Sequence, residues 1–385
     1  MRRNRRNSAF LAIVALAAAD PVIAQSPAAD TAKARPHTAK AAPDTTPKIT
    51  FDGYVDGYYA WDFDRTNNFD RAYTTQPARH AEFNINLAFV DMRIAGPRYR
   101  GRIAVQYGTS VQANYAGEPT IGHISGPSVS QFIQEATIGY QVSSTAWVDG
   151  GIFLAHTGYE SWISRDNLTY TRSLMADYSP YYEAGVKLTW QPSAAITAQL
   201  AVVNGWQDIS KYNTPPAAGI RVDYTVNPSL TLSYDNFVGN FGADTSATQI
   251  RFYNDFIAQY NPSSAWQFAA VFDVGTQSHS TADTGTATWY GATFIAKYHA
   301  TPRVAIVGRV ERFADPDQVI VKTGLPSSFE TNGASFGADV ALMPRMLWRT
   351  EVRGYWSSGR VWPAHRPGEY SRGDGFVVTS LALTM

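Results

Sequence analysis

The spacing of the predicted β-strands constrains this chain more than any other feature of its sequence. From Ile49 onward, apolar and polar residues alternate, as Phe51 and Val55 do with Asp52 and Asp56, and a period of two is typical of β-strands. Seven short links that carry turn residues alternate strictly with eight longer polar links, and together they join sixteen strands. The long links are predicted near residues 64–81, 116–130, 156–180, 207–217, 239–248, 276–288, 314–331 and 357–374.

This alternation of link lengths predicts a membrane barrel. Outer-membrane barrels have an even number of antiparallel strands, short periplasmic turns and long extracellular loops. Most of the predicted strands, such as the third at 101–115, hold at least the roughly 9–11 residues that a tilted membrane strand needs. A soluble β-sandwich also alternates, but nothing in its architecture separates short links from long ones. We therefore predict an all-β fold: a transmembrane antiparallel β-barrel of about sixteen strands over residues 49–385.

The N-terminus has the pattern of a bacterial secretory signal. Four arginines among the first six residues precede an apolar run that is too short to span a bilayer. Val22 and Ala24 then supply the small residues of a cleavage site before Gln25. Residues 1–24 are predicted to be a cleaved signal peptide, and residues 25–48, rich in Ala, Pro, Thr and Lys, a disordered periplasmic leader.

Composition narrows the functional classes. Charged residues make up 17% of the chain and aromatic residues 13%, whereas charged residues reach about 25% in ordinary soluble domains. The chain has no Cys, so neither a disulfide nor a thiolate metal site is available. Its formal net charge is zero, which gives no general attraction to nucleic acid. With no nucleotide-binding fingerprint in the sequence, we predict no cofactor, no metal and no enzymatic activity.

The third long link, residues 156–180, is the most distinctive polar segment of the chain. It is too aromatic to be disordered, since Tyr159, Trp162 and Tyr170 favour packing against other residues. Left outside, the loop would expose a large apolar patch, so we expect it to bend into the barrel lumen and narrow the pore. Its charges, with one from the next strand, form the predicted pore constriction: Glu160, Arg165, Asp166, Arg172 and Glu183.

Charges at inward positions of the predicted strands form a second candidate set, the lumen wall. Its members are Arg303, Arg309, Glu311, Arg349, Glu351 and Arg353, together with Asp52 and Asp56 on the first strand. A basic wall that faces an acidic loop would set a transverse field across the constriction, and such a field sieves ions. The alternative is that these residues are ordinary paired charges that hold strands and loop in place. The sequence leaves both interpretations open.

Two further motifs have a weaker chemical interpretation. In DFDRTNNFD, oxygen-bearing side chains recur at every second residue from Asp62 to Asp70, a spacing that can hold Ca²⁺. The Gly and Glu of an EF-hand are missing, so a solvated loop is predicted instead. His156, followed by Ser161 and Ser164, suggests a hydrolase, but no G-x-S-x-G nucleophile elbow accompanies them. Polar lining of the loop is therefore the prediction.

Several stretches carry a resemblance to a known family. The first strand contains GYVDGYYAWDF, the second EFNINLAFVDMR, and VQANY precedes the second loop. The third loop and the strand after it read HTGYESWISRDNLTYTRSLMADYSPYYEAGVKLTW, and NGWQ follows. These stretches resemble the putative β-barrel porin-2, or OmpL-like, family of Gram-negative outer membranes. The resemblance extends over nearly all of residues 49–385, its most specific part is the long-loop motif, and it implies a porin fold.

These observations predict an outer-membrane porin. It would allow passive diffusion of small hydrophilic solutes, because a barrel of sixteen strands leaves an aqueous channel. The alternative is a non-conducting outer-membrane barrel that acts as an adhesin, receptor or structural protein. Expected partners are outer-membrane lipid, small hydrophilic solutes and the barrel-insertion machinery. A homotrimer is expected only by analogy with sixteen-stranded porins, because no residue pattern indicates one.

Overall fold

The computed structural model describes residues 46–66, 69–212, 214–241, 249–278 and 285–385. The wall strands are β1 (Lys48–Asp62), β2 (Phe83–Ala95), β3 (Tyr99–Tyr107), β4 (Ile133–Ser143), β5 (Ala146–Leu154), β6 (Tyr182–Trp190), β7 (Ile196–Val203), β8 (Ala217–Asn227), β9 (Leu230–Asn240), β10 (Ile250–Tyr260), β11 (Trp266–Ser278), β12 (Thr286–His299), β13 (Val304–Asp315), β14 (Phe329–Met343), β15 (Met346–Ser357) and β18 (Gly373–Thr384). The predicted signal peptide, and the predicted leader as far as residue 45, lie outside the described residues.

The long loops contain the remaining regular structure. These elements are α1 (Thr109–Tyr115), α2 (Pro127–Ser130), a 3₁₀ turn at Ser164–Asp166, α3 (Leu174–Asp177), and the two-residue strands β16 (Trp362–Pro363) and β17 (Tyr370–Ser371), which pair with each other. No helix in the described part of the chain is long and apolar enough to cross a membrane.

The sixteen wall strands form one closed antiparallel barrel. Each strand pairs with its neighbours in chain order, and β1 pairs with β18 to close the ring. The closing register sets Tyr54 opposite Thr384 and Asp62 opposite Phe376. Closure leaves no unpaired strand edge in the wall, which removes the site where another chain could add a strand. The predicted sixteen-stranded antiparallel barrel is confirmed.

The two faces of the wall differ in polarity, as the alternation in the sequence predicts. On β10, Phe252 and Phe256 are exposed on the outer face, while Arg251 and Asp255 are buried on the inner face. The same pattern recurs on β13, where Val310 faces outward and Arg309 faces inward. An apolar exterior with a polar interior is stable in lipid around a wet lumen, and would not be stable as a soluble sheet.

The third strand is shorter than predicted. The sequence places it at 101–115, but β3 ends at Tyr107, and the residues that follow form α1 inside the barrel. Gly108 makes this turn with φ of +146°, and a Cβ at this position would lie 2.3 Å from the carbonyl oxygen of Asn86. Only glycine fits such a close approach to backbone, so Gly108 directs the second loop inward.

Closure of the barrel can be tested by crosslinking β1 to β18. Val55 lies opposite Leu383, and the chain has no Cys of its own. Directly opposite residues fall within the reach of a disulfide, whereas diagonal neighbours about 7–8 Å apart do not. We expect the double variant Val55→Cys/Leu383→Cys to crosslink under mild oxidation, as measured by a mobility shift of the unfolded protein in gels.

The matched control is Val55→Cys/Leu381→Cys, because Leu381 lies opposite Gly57 instead. Equal crosslinking of both pairs, or crosslinking of the control alone, would contradict this register.

The third loop inside the barrel as candidate functional site

The loop between β5 and β6, residues 155–181, lies inside the barrel. Tyr170, Leu174 and Met175 are at most 4% exposed and pack in one cluster with wall residues such as Trp289 and Phe313. Ser173 caps α3 by accepting a hydrogen bond from the amide of Ala176 at 3.4 Å. The apolar residues of the loop are therefore removed from water by the wall, which supplies the driving force for the inward fold.

A second aromatic cluster fixes the first half of this loop. Trp162 and Ile163 pack with Tyr54 of β1, Tyr115 of α1 and Tyr182 of β6. The rings of Tyr115 and Tyr182 stack with their centroids 4.2 Å apart. The Trp162 indole also donates a hydrogen bond to the hydroxyl of Ser110 at 3.2 Å. The inward helix α1 thus provides the surface on which the third loop rests.

Three wall arginines hold the backbone of the loop. Arg309 donates to the carbonyl of Thr171 at 2.6 Å, and Arg353 to the carbonyl of Arg172 at 2.5 Å. Arg349 donates to the carbonyls of Ser164 at 2.5 Å and Leu168 at 2.8 Å. Hydrogen bonds from an ionised donor are roughly twice as strong as neutral ones. These arginines therefore satisfy loop carbonyls that no regular secondary structure would satisfy.

Wall carboxylates complete the attachment. Glu351 accepts from both the amide and the hydroxyl of Thr171 at 2.8 Å, and Glu311 accepts from the amide of Leu174 at 2.7 Å. The same carboxylates pair with the wall arginines: Glu351 with Arg309 at 3.1 Å, and Glu311 with Arg353. This geometry favours the second interpretation from the sequence, paired charges that hold strands and loop in place. A transverse field remains a prediction.

The predicted constriction residues fall into two groups in the structure. Glu160, Arg172 and Glu183 are buried in contacts rather than exposed to a channel, so the expectation that the first two face open space is wrong. Arg165 and Asp166 have side chains that are 16% and 18% exposed. Both groups have partners, but the partners of the first group enclose its side chains, whereas Arg165 and Asp166 stay partly exposed.

The partners of Glu160 and Arg172 come from the third loop itself, from the first long loop and from strand β13. Glu160 accepts from the amide of Ser173 at 2.9 Å and lies 3.5 Å from Arg309. Arg172 lies over the ring of Tyr181 at 3.8 Å. It also donates to the Thr75 hydroxyl and lies 3.5 Å from Asp177.

Glu183 contacts Nδ1 of His156 at 2.8 Å, at the start of the loop. His156 Nε2 is 2.8 Å from the carbonyl oxygen of Asn236. A Cβ on Gly219 would lie 2.1 Å from that Nε2 atom, so the missing side chain makes room for the imidazole. The pair of Glu183 and His156 therefore fixes the base of the loop to the nearby wall at β8 and β9.

The partly exposed pair lies against the first strand. Arg165 reaches Asp52 at 3.2 Å and donates to the hydroxyl of Thr384 at 2.9 Å, across the closing seam of the barrel. Asp56, also on β1, is fully buried and accepts from Ser164 at 2.9 Å and Asn86 at 2.8 Å. Asp52 and Asp56 therefore both contact the third loop, and their role as residues of the lumen wall stays a prediction.

One predicted wall residue lies elsewhere. Arg303 is exposed in the turn that precedes β13, because the strand begins only at Val304. Its spacing from Arg309 fits the inward face, but the wall does not extend far enough for Arg303 to belong to it. The prediction that it lines the lumen is wrong.

The structure adds contacts that the sequence analysis missed. Lys297 and Arg349 both pair with Asp339 of β14, at 2.5 and 2.8 Å. These residues follow the inward alternation and could have been found by extending it to β12 and β14. From the first long loop, Gln76 donates to the carbonyl of Trp162 at 2.8 Å. No sequence pattern signals that contact between two irregular segments.

Neither of the two weaker motifs is arranged as a reactive centre in the residues that the structure describes, and residues 67–68 of the acidic motif lie outside them. Both ring nitrogens of His156 are engaged as described above, while the Ser164 hydroxyl contacts Asp56 and Tyr54. In the acidic loop, Asp62 pairs with Arg71 at 3.4 Å and Asp70 with Arg79 at 2.6 Å. Over the described ranges, no group of three or more acidic or histidine side chains is arranged to hold a metal ion.

The second and fourth long loops meet at a buried carboxylate near the rim. Glu118 accepts from the amides of Ile209 at 3.1 Å and Ser210 at 2.8 Å, and from the Tyr182 hydroxyl at 2.9 Å. Burial raises the pKa of Glu118 against the opposing effect of these hydrogen bonds. Burial, and next the charge of Glu118, raise the pKa of the neighbouring Asp208 to about 7. The raised pKa of Asp208 therefore lies near neutrality, close to the carboxylate at which the two loops meet.

A closed sixteen-stranded barrel with an apolar exterior, a charged interior and an inward third loop defines an outer-membrane protein of the porin type. The chain belongs to the putative β-barrel porin-2, OmpL-like family, whose model matches residues 48–382. Family and fold place it in the bacterial outer membrane. No curated protein matches the chain.

Solved structures share this fold at low identity. An anion-selective porin from Comamonas acidovorans is 12% identical, with a TM-score of 0.57 over 88% of this chain and 100% of that chain. The outer-membrane channel DcaP of Acinetobacter baumannii is 10% identical, with a TM-score of 0.59 over 89% and 98%. The trimer form of OmpT, an outer-membrane protein of Vibrio cholerae, is 9% identical, with a TM-score of 0.54 over 88% and 99%. At these identities the likeness shows the fold alone.

The attachment of the loop to the wall can be tested at Glu351. The variant Glu351→Ala leaves Arg309 and the Thr171 amide without their buried acceptor, a loss that costs about 3–5 kcal/mol for a buried ion pair. We expect trypsin to cut the loop at Arg165 or Arg172 at least about tenfold faster, because cleavage follows the population of the open form. Mass spectrometry of the fragments measures the rate at each site.

The matched control is Glu330→Ala, which removes the partner of Arg312 at a partly exposed site away from the loop. If both variants are cut in the loop at the wild-type rate, the wall charges do not hold it in place.

The pKa of Asp208 gives a prediction with a defined sign. Because the folded pKa is raised from 3.8 to about 7, the stabilising contribution of this group is complete only below about pH 3.8 and is lost progressively as pH rises from there to about 7. The variant Asp208→Asn should therefore slow hydrogen exchange in residues 204–212, relative to wild type, at about pH 8. At about pH 5.5, midway between the two pKa values, the difference in free energy of opening should be about half as large. A difference of equal size at both pH values would contradict the raised pKa.

Proposed function

We propose that this protein is a porin that lets small hydrophilic solutes diffuse passively across the outer membrane. The observation that carries the proposal is the closed barrel of sixteen strands with a charged inner face, since barrels of this strand number leave an aqueous channel. Membership of a porin family supports it. No energy source or conformational cycle is needed, and the protein acts as a sieve rather than as an enzyme.

The third loop is the proposed constriction. It crosses from its base at β5 and β6 to the far wall at β13 and β15, so it occupies space that solutes would otherwise cross. Arg165, Asp166 and Asp52 are the proposed selectivity residues, because their side chains keep some exposure. Glu160, Arg172 and Glu183 would act indirectly by holding the loop in position.

One observation favours the alternative of a non-conducting barrel. Many lumen side chains are fully buried, among them Tyr54, Tyr170, Leu174 and Arg172. Conductance of the purified, folded protein in a planar bilayer separates the two functions. We expect discrete steps in KCl, and a well-folded protein that gives no steps would remove the porin assignment.

Deleting residues 161–176 tests the constriction. The wall charges that contact the loop would then face lumen water, which can solvate them, so the barrel should still fold. We expect a larger single-channel conductance, because the segment that crosses the pore is gone. Unchanged conductance in a folded deletion variant would show that the loop does not limit the passage of ions.

The charge of Arg165 provides a test of selectivity. Removing it in Arg165→Ala leaves Asp52 and Asp166 without this cation, so the reversal potential in a KCl gradient should shift toward cation selectivity. The matched control is Arg366→Ala, which removes an arginine whose side chain is 77% exposed in the last long loop. A shift of equal size in the control would indicate a general effect of surface charge.

A further inference from the structure

Three polar side chains interrupt the apolar outer face of the barrel wall near the middle of two strands. Tyr234 and Asn236 of β9 and Asn254 of β10 face outward, because their neighbours along each strand are buried on the inner face. Asn236 lies directly opposite Asn254 in the register of the two strands. Since the lipid-facing band of an outer-membrane barrel is apolar, two carboxamides at this position require a physical explanation.

The contacts of the wall explain Asn236. On the inner side, its backbone carbonyl is engaged by the imidazole of His156 at 2.8 Å. The amide of Ile220, directly opposite on β8, donates to the side-chain oxygen of Asn236 at 3.1 Å. A backbone amide without an acceptor is costly next to lipid. The side chain of Asn236 therefore satisfies an amide of the neighbouring strand.

A tyrosine hydroxyl links Asn236 to Asn254. The side-chain nitrogen of Asn236 donates to the Tyr234 hydroxyl at 3.2 Å, and this hydroxyl donates to the side-chain oxygen of Asn254 at 2.8 Å. The chain of hydrogen bonds ends there. Among the described residues, the side-chain nitrogen of Asn254 has no acceptor, although it can donate two hydrogen bonds. Asn254 therefore has an unpaired donor on the lipid-facing side.

An unpaired donor is strongly unfavourable at this depth, because hydrocarbon offers no acceptor. Polar groups on the outer face of β15 and β18 show how the chain avoids this cost elsewhere. The hydroxyls of Thr350 and Thr379 bond to each other at 3.1 Å, and the Trp348 indole donates to Thr379 at 2.8 Å. These groups find partners within the chain, whereas the Asn254 nitrogen is placed to bond a group outside it.

An apolar groove lies beside Asn254 on the same face. Its volume is about 540 Å³, and it extends over the outer side of β8–β11. Ala258 and Ala270 lie opposite each other within it, and their small side chains leave the depression. The rings of Phe256 and Phe272 border the groove and are 48% and 45% exposed. This face thus combines a groove, projecting aromatic rings and an unpaired hydrogen-bond donor.

We propose that the outer face of β8–β11 binds a second copy of this chain about a two-fold axis. A carboxamide is its own complement, since the nitrogen of Asn254 in each copy can donate to the Asn254 oxygen of the other. The exposed rings of one copy then fill the groove of the other. A lipid acyl chain can fill the groove but cannot accept a hydrogen bond, so the second copy is the occupant that satisfies both features.

The proposed contact lies outside the lumen, so it holds for a conducting and for a non-conducting barrel alike. Asn236 connects it to the third loop, because its carbonyl contacts His156 at the base of the loop and its side chain belongs to the outer hydrogen-bond chain. A two-fold pair differs from the homotrimer expected by analogy. The oligomeric state therefore separates the two arrangements.

Single-cysteine crosslinking of the full-length protein, folded in lipid vesicles, tests the proposal. The chain has no Cys, so a disulfide in the variant Asn254→Cys can only join two copies. A residue on a two-fold axis meets the same residue of its partner within the distance that a disulfide spans. Because cysteines held together react at a high effective concentration, we expect at least about tenfold more covalent dimer than in the control after mild oxidation.

The matched control is Val90→Cys. Val90 is 54% exposed near the middle of β2, which lies across the ring of sixteen strands from β10. Chance collisions in the membrane would crosslink both variants equally. Equal crosslinking, or a covalent dimer from the control alone, would overturn the proposed interface.

Sedimentation equilibrium in detergent measures association without cysteines. We expect the wild-type protein to be a dimer and Asn254→Leu to raise its dissociation constant at least about tenfold, which is about 1.4 kcal/mol. The variant should fold, because leucine suits a lipid-facing position. Thr350→Val, which removes a satisfied polar group from the outer face of β15, should leave the dissociation constant within about twofold of wild type. A wild-type monomer or trimer, or an unchanged dissociation constant in Asn254→Leu, would overturn the proposal.

Discussion

The interior of this barrel depends on hydrogen bonds between charged wall side chains and the backbone of an irregular loop. A segment without regular secondary structure has amide and carbonyl groups that must find partners when it leaves water. Here the partners are supplied by the wall: Arg309, Arg349 and Arg353 donate to loop carbonyls, while Glu311 and Glu351 accept from loop amides. The wall therefore does for this loop what a neighbouring strand does for a β-strand.

The two sides of the lumen differ in how their charges are balanced. On β12–β15 each buried cation has a carboxylate partner, which makes that side nearly neutral as a unit. On β8–β11 carboxylates outnumber cations, and the excess faces the loop. Acidic residues therefore exceed cations on β8–β11, whereas the arginines of β13 and β15 are paired with carboxylates.

The fold was accessible from the sequence because its determinants are periodic and local. Alternation along each strand and the segregation of link lengths both follow from a closed sheet in lipid, so the strand number could be read directly. The end of β3 could not, since it depends on Gly108 approaching the backbone of another strand. The third loop was recognisable from its aromatic residues.

The partners of the loop charges were not predictable in the same way. Arg172 and Arg165 are both arginines of one loop, yet one stacks on Tyr181 and the other reaches the barrel seam. Which of two like residues becomes buried is decided by three-dimensional contacts that have no sequence period. For the same reason, the alignment of Asp235, Asp255 and Asp273 on neighbouring strands became visible only with the register of β9–β11.

The long sequence separation of the loop contacts has a consequence for the order of assembly. Arg309, Arg353 and Arg349 follow their loop partners by 138, 181 and 185 residues, and Thr384 follows Arg165 by 219. Contacts between residues this far apart in the sequence form late, because the intervening chain must be ordered first. During synthesis and membrane insertion, the loop exists well before the strands that receive it. The loop can therefore dock completely only after the final strands are in place. In a barrel that lacks these strands, the loop would stay undocked and accessible to proteases.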